Sequence, residues 1–442
     1  MLKPARKIGG IDASSRPDGQ EIARSGAIKV RMTDTDTATT TAPAPLLSGF
    51  HPQPADGLLA LMLAFQADPR PDKIDLGLGV YRDEHGVTPV MAAVKAAERH
   101  LLETQDTKAY IGTDGDRAFV RLLAPVVLGE RAADPRLAGM QTPGGTGALR
   151  LAAEMLAATG PDATVWIGDP SWANHVPIFR AAGVRVRRHP LLDAARQRVV
   201  LPAMLGALAE ARAGDALLLH GCCHNPAGVD FTAAEWEEIA DTVARRRLLP
   251  IVDLAYQGLG RGLEEDAAGL RLLDARAEAL VLAYSCDKNF GLYRERTGAL
   301  WVRAAGESQL EGMRSAMRNP ARAAWSMPPD HGAAVVRTIL ASPELAEGWR
   351  AELTAMRERI AFLRRALAAA HPGLAAVADQ TGMFSLLPLG TEAVMRLRRE
   401  EGIYLADDGR ANLAGLDTRT LPRLVEALRP FLRQDRSPEA AM

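Results

Sequence analysis

The sequence predicts an α/β protein built on a mostly parallel sheet, and three observations predict it. Short apolar runs at 163–167 (ATVWI), 216–220 (ALLLH), 248–253 (LLPIVD) and 280–285 (LVLAYS) read as buried strands. Amphipathic helices separate them, and strands joined through helices pair in parallel with helices on both faces. The chain of 442 residues, 47% hydrophobic and 24% charged, has an ordinary globular composition in a length that exceeds one compact core. Two domains are expected.

In chain order, residues 1–31 mix basic, acidic and glycine residues without periodicity, and 33–46 are rich in Thr, Ala and Pro. Neither stretch can bury a core, so 1–47 is expected to be a disordered extension. Met32 would serve equally as a start. Asp12, Asp18 and Glu21 argue against a mitochondrial presequence. Alternation of strands and helices begins near Ile74. A helix is predicted over 233–247, with Trp236, Ile239, Ala240 and Val243 on one face and a Thr232/Glu235 capping box. A long helix starts at Ser342 as N-cap with Pro343 at its first position, and Trp349, Leu353, Met356, Ile360, Leu363 and Leu367 form its apolar stripe. It reads as a link between two domains, the second a smaller α/β unit from about 372.

Composition excludes several classes. Lys+Arg 53 against Asp+Glu 54 leaves a net charge of -1, so no nucleic-acid or anionic-membrane partner is expected. No apolar run reaches membrane-spanning length. Cys222, Cys223 and Cys286 are too few for a disulfide framework, and a reducing cytoplasm fits. Lysine occurs only at 3, 7, 29, 73, 95, 108 and 288. Lys288 is therefore the only lysine after 108, and an amine can lose its proton and attack where a guanidinium cannot. Chance survival of one lysine explains this equally well until its neighbours are considered.

Ligands of such sheets sit beyond the carboxyl ends of the strands, where His220, Asp253 and Ser285 fall, with Lys288 close behind. The run TPGGTGALRLAAEML (142–156) is a glycine-rich turn entering a helix, whose first N–H groups can hold a phosphate. An ordinary tight turn has the same signature. In VDLAYQG (252–258), Asp253 closes a buried strand, which is costly without a cationic partner or a cap. No further carboxylates or histidines cluster near it in sequence, so no metal is expected. Cys222, Cys223 and His224, taken as extended chain, alternate faces and make no metal box. YSCDKNFGLYRERTGAL (284–300) places a hydroxyl, an amine and a guanidinium (Ser285, Lys288, Arg296) within a dozen residues, suited to an anionic carbonyl ligand.

These segments resemble the aspartate/aromatic amino acid aminotransferase family of the aspartate aminotransferase fold type. The likeness runs from about Leu47 to Leu432 through DLGLGVYRDEHGVTPV, AYIGTDG, TPGGTGALR, DPSWANH, HGCCHNPAG, DLAYQG, DKNFGLYRERTG, RAAWSMPPDHG and DDGRANLAG, in family order. It implies a large domain (89–344) with a mostly parallel seven-stranded sheet, a small domain from both chain ends (48–88 and 345–434) and a tail (435–442). It implies pyridoxal 5'-phosphate held as a Schiff base on Lys288, which then shuttles the substrate Cα proton. Asp253 would pair with the pyridinium nitrogen, Tyr256 and Asn225 would bond the ring oxygen, and Trp172 would stack on the ring. The phosphate would rest on Gly145 and Thr146, with Ser285 and Arg296 beside them. Arg410 would grip the substrate α-carboxylate, which Gly79 lets the backbone approach, while His175 and His220 orient their neighbours.

The resemblance also implies a homodimer with shared sites. Tyr110 would reach a neighbouring subunit's phosphate, and Arg322 a neighbouring substrate's side-chain carboxylate, with Arg318 as its rival. Asp287 stands where a serine is usual. Ala109 and Met327 stand where aspartate-preferring members carry asparagine, while Val80, Arg82 and Thr88 look aspartate-like. The expected activity is transfer of the amino group of aspartate and/or aromatic amino acids (tyrosine, phenylalanine) to 2-oxoglutarate. A β-lyase or β-decarboxylase of the same fold, or a catalytically inactive sensor, are the alternatives.

Overall fold

The computed structural model describes residues 50–51 and 57–432. The expected extension, the presequence alternative and the tail fall outside the described residues. The chain clusters into two units, Met1–Pro54 and Ala55–Met442, and the second carries the sheet and the helices.

The main sheet has seven strands: β1 Leu137–Pro143, β2 Thr164–Asp169, β3 Arg185–Pro190, β4 Ala216–His220, β5 Leu249–Leu254, β6 Leu280–Ser285 and β7 Thr297–Arg303. Their order is β1-β7-β6-β5-β4-β2-β3. β7 runs antiparallel to both its neighbours, and the other pairs are parallel. The predicted strands at 216–220 and 280–285 lie where expected, and the other two shift by about a residue.

Alternation along the strands assigns the two faces. Leu217, Leu219, Val252, Leu254, Leu280 and Leu282 join one apolar cluster, together with Trp236, Ile239, Ala240 and Val243. Ala216, Leu218, Ile251, Val281 and Ala283 join the other, with Leu149, Ala152, Ala153 and Leu156. Helix α1, Gly144–Ala157, therefore covers the second face, and α3, Ala233–Arg246, the first; α2 is His175–Ala181. The capping box of α3 is present, with Thr232 Oγ1 accepting from the Glu235 N–H and the Glu235 carboxylate accepting from the Thr232 N–H. Such a cap contributes about 1 kcal/mol.

After α4, Leu310–Ala324, comes the long helix α5, Pro343–Ala370, capped by Ser342. Its first half, Trp349 to Ile360, packs into the cluster of the first sheet face. Its second half, Leu363 and Leu367, packs into a separate cluster with Ile74, Leu76, Leu397, Ile403 and Leu428. Residues from both ends of the described chain thus share one apolar core, where Ile74–Asp75 pairs with Ile403–Tyr404. No helix among the described residues is long and apolar enough to cross a membrane.

Candidate active site

Strand parity puts the chemistry on one face. His220 follows Ala216 and Leu218, Asp253 follows Ile251, and Ser285 follows Val281 and Ala283, so all three project toward the face that α1 covers. His220 and Asp253 are register partners on β4 and β5. A cleft of about 300 Å³ opens there. It gathers eleven of the thirteen predicted site residues: Gly79, Gly145, Thr146, Trp172, Asn225, Asp253, Tyr256, Ser285, Lys288, Arg296 and Arg410.

At its floor, Asp253 is buried and accepts from His175 Nε2 at 3.0 Å, while His175 Nδ1 meets Ser171 Oγ at 2.7 Å. Burial alone would raise the Asp253 carboxyl, but the His175 bond and the electrostatic pull of its surroundings, Lys288 included, hold it below the usual carboxylate range. His220 tilts over His175 with ring centroids 5.0 Å apart. Burial pushes it down to about 3, so it is neutral, and its Nε2 finds no partner. The sequence reading found no cluster of histidines around Asp253, although it set His220 at a like strand end; the fold brings two, with donor atoms of all three within 4.8 Å of one another. That corrects the sequence reading. The two imidazoles lie far from Asp253 along the chain and meet it only through strand pairing and α2.

Lys288 lies with Nζ 5.2 Å from the Tyr256 ring centroid. Desolvation depresses its amine, against the opposing pull of Asp287 and Asp253. Its loop is held firmly: Phe290 stacks on Trp349 of α5 at 4.3 Å, and Trp349 Nε1 donates to the Asn289 carbonyl at 2.7 Å. Tyr256 is buried, which with the nearby Asp253 raises its phenol, and its hydroxyl accepts from Asn225 Nδ2 at 3.5 Å.

One end of the cleft is built for an anion. No side chain caps α1, so its first N–H groups stay open. Gly144 has φ of 66°, and a Cβ there would stand 2.7 Å from Arg296 Nη2. A Cβ on Gly145 would stand 3.1 Å from Ser285 Cβ, so the backbone approaches closely there, while the positive φ of Gly144 favours glycine. Arg296 itself pairs with Asp287. Arg410, in the lining of the same cleft, is buried without a carboxylate partner among the described residues. Its Nη2 donates to the Gly77 carbonyl at 2.7 Å, its Nε is unpaired, and its guanidinium lies 4.8 Å from the Phe384 ring centroid. Burial lowers its pKa, the expected mark of a cation awaiting an anion.

The comparisons with known proteins decide what this cleft belongs to. Residues 71–428 match the family model described as aminotransferase class I and II. The chain belongs to the class I and II aminotransferases. It is similar to a tyrosine aminotransferase of Rhizobium meliloti (strain 1021), 54% identical over 371 residues, covering 83% of this chain and 95% of the relative. It is 44% identical over 384 residues to an aspartate aminotransferase of Escherichia coli (strain K12), covering 85% and 97%. Among solved structures, an aromatic-amino-acid aminotransferase from Burkholderia pseudomallei covalently bound to pyridoxal phosphate superposes with a TM-score of 0.85 at 38% identity, covering 88% of this chain and all of that one.

The aminotransferase works with pyridoxal 5'-phosphate, and its cleft fits that cofactor on its own evidence. A desolvated amine, a buried carboxylate, a glycine cradle at an open helix start and a guanidinium without a carboxylate partner among the described residues line one cleft. Two expected residues lie elsewhere on this chain. Tyr110 is 93% exposed. Arg322, near the end of α4, is exposed and donates to Ser326 Oγ. Its rival Arg318 is engaged, with Nε and Nη2 on the two Asp114 oxygens at 2.7 and 2.8 Å. Ala109 and Met327 line a different hollow; Val80 lines the cleft, Arg82 pairs with Asp75, and Thr88 is exposed.

Sequence reading missed Phe384 and Tyr293 as cleft walls. Phe384 shows no chemical signal, and Tyr293 stood unassigned within the 284–300 motif. It also assumed an extended backbone at the cysteines, which the structure corrects. Cys223 has φ of 52° rather than an extended backbone, so Cys222, Cys223 and Asp266 gather donor atoms within 4.8 Å. Both thiols are pushed up by burial, and Asp266 is already bonded by the N–H groups of Gly258, Gly260 and Arg261. Protonated thiols beside a satisfied carboxylate make a packed core.

Proposed function

We propose that this aminotransferase moves the amino group of aspartate and of the aromatic amino acids tyrosine and phenylalanine to 2-oxoglutarate by a ping-pong route. The observation that carries the reading is the buried Arg410, without a carboxylate partner among the described residues, lining one cleft with Lys288, Asp253 and the α1 helix start. The names of the relatives, tyrosine and aspartate aminotransferases, support both donor classes.

When bound, pyridoxal phosphate supplies an electron-poor ring that stores the pair released as the substrate Cα proton leaves. Asp253 would keep the ring nitrogen protonated, and its depressed pKa supports a fixed negative charge there. Tyr256 and Asn225 would bond the ring oxygen, and Trp172 would cover the ring face. Gly145, Thr146, Ser285 and Arg296 would hold the phosphate by charge-assisted bonds. Lys288 Nζ would take the Cα proton, which requires a neutral amine, and desolvation favours that form. Arg410 would bind the α-carboxylate bidentately, at the backbone approach that Gly79 leaves open.

The same proposal includes a homodimer in which Tyr110 and Arg322 serve the partner's site; their exposure on this chain supports it. It divides the chain into a large domain and a small one from 48–88 and 345–434, supported by the apolar core shared by Ile74 and Leu428. It places the enzyme in the cytoplasm, which three free thiols support. The deciding experiment compares kcat/KM for aspartate, tyrosine and phenylalanine with 2-oxoglutarate while counting glutamate formed. Stoichiometric glutamate with each donor is expected. Ammonia or carbon dioxide without glutamate would assign a lyase or decarboxylase instead.

A further inference from the structure

The phosphate end of the cleft contains an anion of its own. Asp287 is 3% exposed and lines the cleft. One of its oxygens pairs with Arg296, the other has no partner, and its N–H donates to Ser285 Oγ at 3.2 Å. The same carboxylate abuts the first turn of α1: a Cβ on Gly144 would stand 3.4 Å from Asp287 Oδ2. Asp287 is therefore surrounded by Ser285, Arg296 and the helix start, the groups assigned above to the cofactor phosphate. A buried carboxylate and a phosphate would meet one guanidinium, and like charges brought together in a poorly solvated site oppose one another.

We propose that Asp287 sets the affinity of the phosphate subsite. It holds the Arg296 guanidinium in place before the phosphate arrives, then competes with the phosphate for it. The chain consequently grips its cofactor less tightly than it would with an uncharged residue at this position. Charge rather than shape is the operative property, so the amide of asparagine should act like serine. This rests on the reading that Arg296, Ser285 and the α1 start receive the phosphate.

The test titrates the full-length chain, stripped of cofactor, with pyridoxamine 5'-phosphate and with pyridoxamine. Neither forms a bond to Lys288, so binding reads the noncovalent grip alone, and calorimetry follows it without any turnover. Asp287→Asn and Asp287→Ser should each bind pyridoxamine 5'-phosphate about tenfold more tightly than the unaltered chain, a gain of one decade in Kd. Pyridoxamine, which lacks the phosphate, should bind all three equally. Unchanged or weaker binding of the phosphorylated ligand by the asparagine variant, its fold verified by thermal melting, would overturn the proposal, because Asp287 would then support Arg296 more than it opposes the phosphate. An equal gain for both ligands would overturn it too. The underlying placement is checked separately: if Arg296→Ala binds pyridoxamine 5'-phosphate as tightly as the unaltered chain, the phosphate lies elsewhere and the failure belongs to that reading.

Discussion

The floor of the cleft and the residues assigned to its side-chain end are built in opposite ways. At the floor, Asp253, His175, His220 and Lys288 sit on adjacent strand ends, the start of α2 and an adjoining loop, buried and cross-braced within one chain. Arg322 and Tyr110 are exposed, and neither lines the cleft. The difference teaches where each part of the function is specified. On the proposed reading, chemistry common to every donor is fixed by sheet pairing and core packing, while discrimination between donors would be left to residues that a second chain completes. A rigid first part and an assembled second part make separate failures, so mutations can tell them apart.

The largest effect is expected at the floor. Lys288→Ala should lower kcat by about 10^4-fold or more, since both proton transfer and cofactor attachment go with the amine. Single-turnover absorbance should still show cofactor bound, because Arg296, Ser285 and α1 are untouched. Near-native turnover would end the assignment of Lys288. The same lesion breaks or upholds the comparison in mixed dimers. Lys288→Ala/Arg410→Ala chains and Tyr110→Phe/Arg322→Ala chains should each be nearly inactive toward aspartate alone, yet recover activity when subunits exchange. One site of the heterodimer then has an intact floor and an intact borrowed end. No recovery in verified heterodimers would mean that the two ends belong to one chain.

Asp253→Asn comes next. It leaves shape and the contact to His175 possible but removes the buried charge, and losing one partner of such a pair typically costs about 3–5 kcal/mol. That corresponds to a kcat loss on the order of 10^2- to 10^3-fold, with KM less affected. A kcat within a few-fold of the unaltered enzyme would show that the charge on Asp253 is not what the reaction uses.

Most of the floor was legible in the sequence because its signals are local. Strands 216–220 and 280–285 end on the residues that matter, and the lone lysine after 108 drew attention to its own loop. The capping box at Thr232 and the N-cap at Ser342 are short-range chemistry and were equally readable. What could not be read depends on long-range pairing. His220 was read at a strand end like that of Asp253, but the contact of His175, 78 residues away, depends on α2 packing, and only the β4–β5 register sets His220 directly opposite Asp253. The reversed direction of β7 leaves no trace in periodicity, since a fully buried strand reads the same either way. The positive φ at Cys223 defeated a reading that assumed extended chain. The proposed side-chain end was legible only through resemblance, because Tyr110 and Arg322 are exposed residues with no local signature of their own.

The smallest effects concern the two arginines of α4, and they separate the ends most sharply. Arg322 has no carboxylate partner among the described residues, whereas Arg318 is held by both oxygens of Asp114, with Arg117 on the same carboxylate. An arginine already neutralised has little left for a substrate. Arg322→Ala should therefore lower kcat/KM for aspartate on the order of 10^2-fold, the consequence of about 3 kcal/mol lost when a carboxylate loses its guanidinium. Phenylalanine, which has no second carboxylate, should change little. Arg318→Ala should leave the aspartate-to-phenylalanine ratio unchanged and cost stability of about 1 kcal/mol or less, because the Arg318 side chain is 41% exposed and solvent screens its pair. Parallel kcat/KM measurements on both variants with both donors check this, with thermal melting for the second. Equal damage to both donors in Arg322→Ala would make that arginine structural. A ratio that shifts in Arg318→Ala instead would transfer the side-chain carboxylate to Arg318, and the contact with Asp114 would then have to open when the dicarboxylate binds.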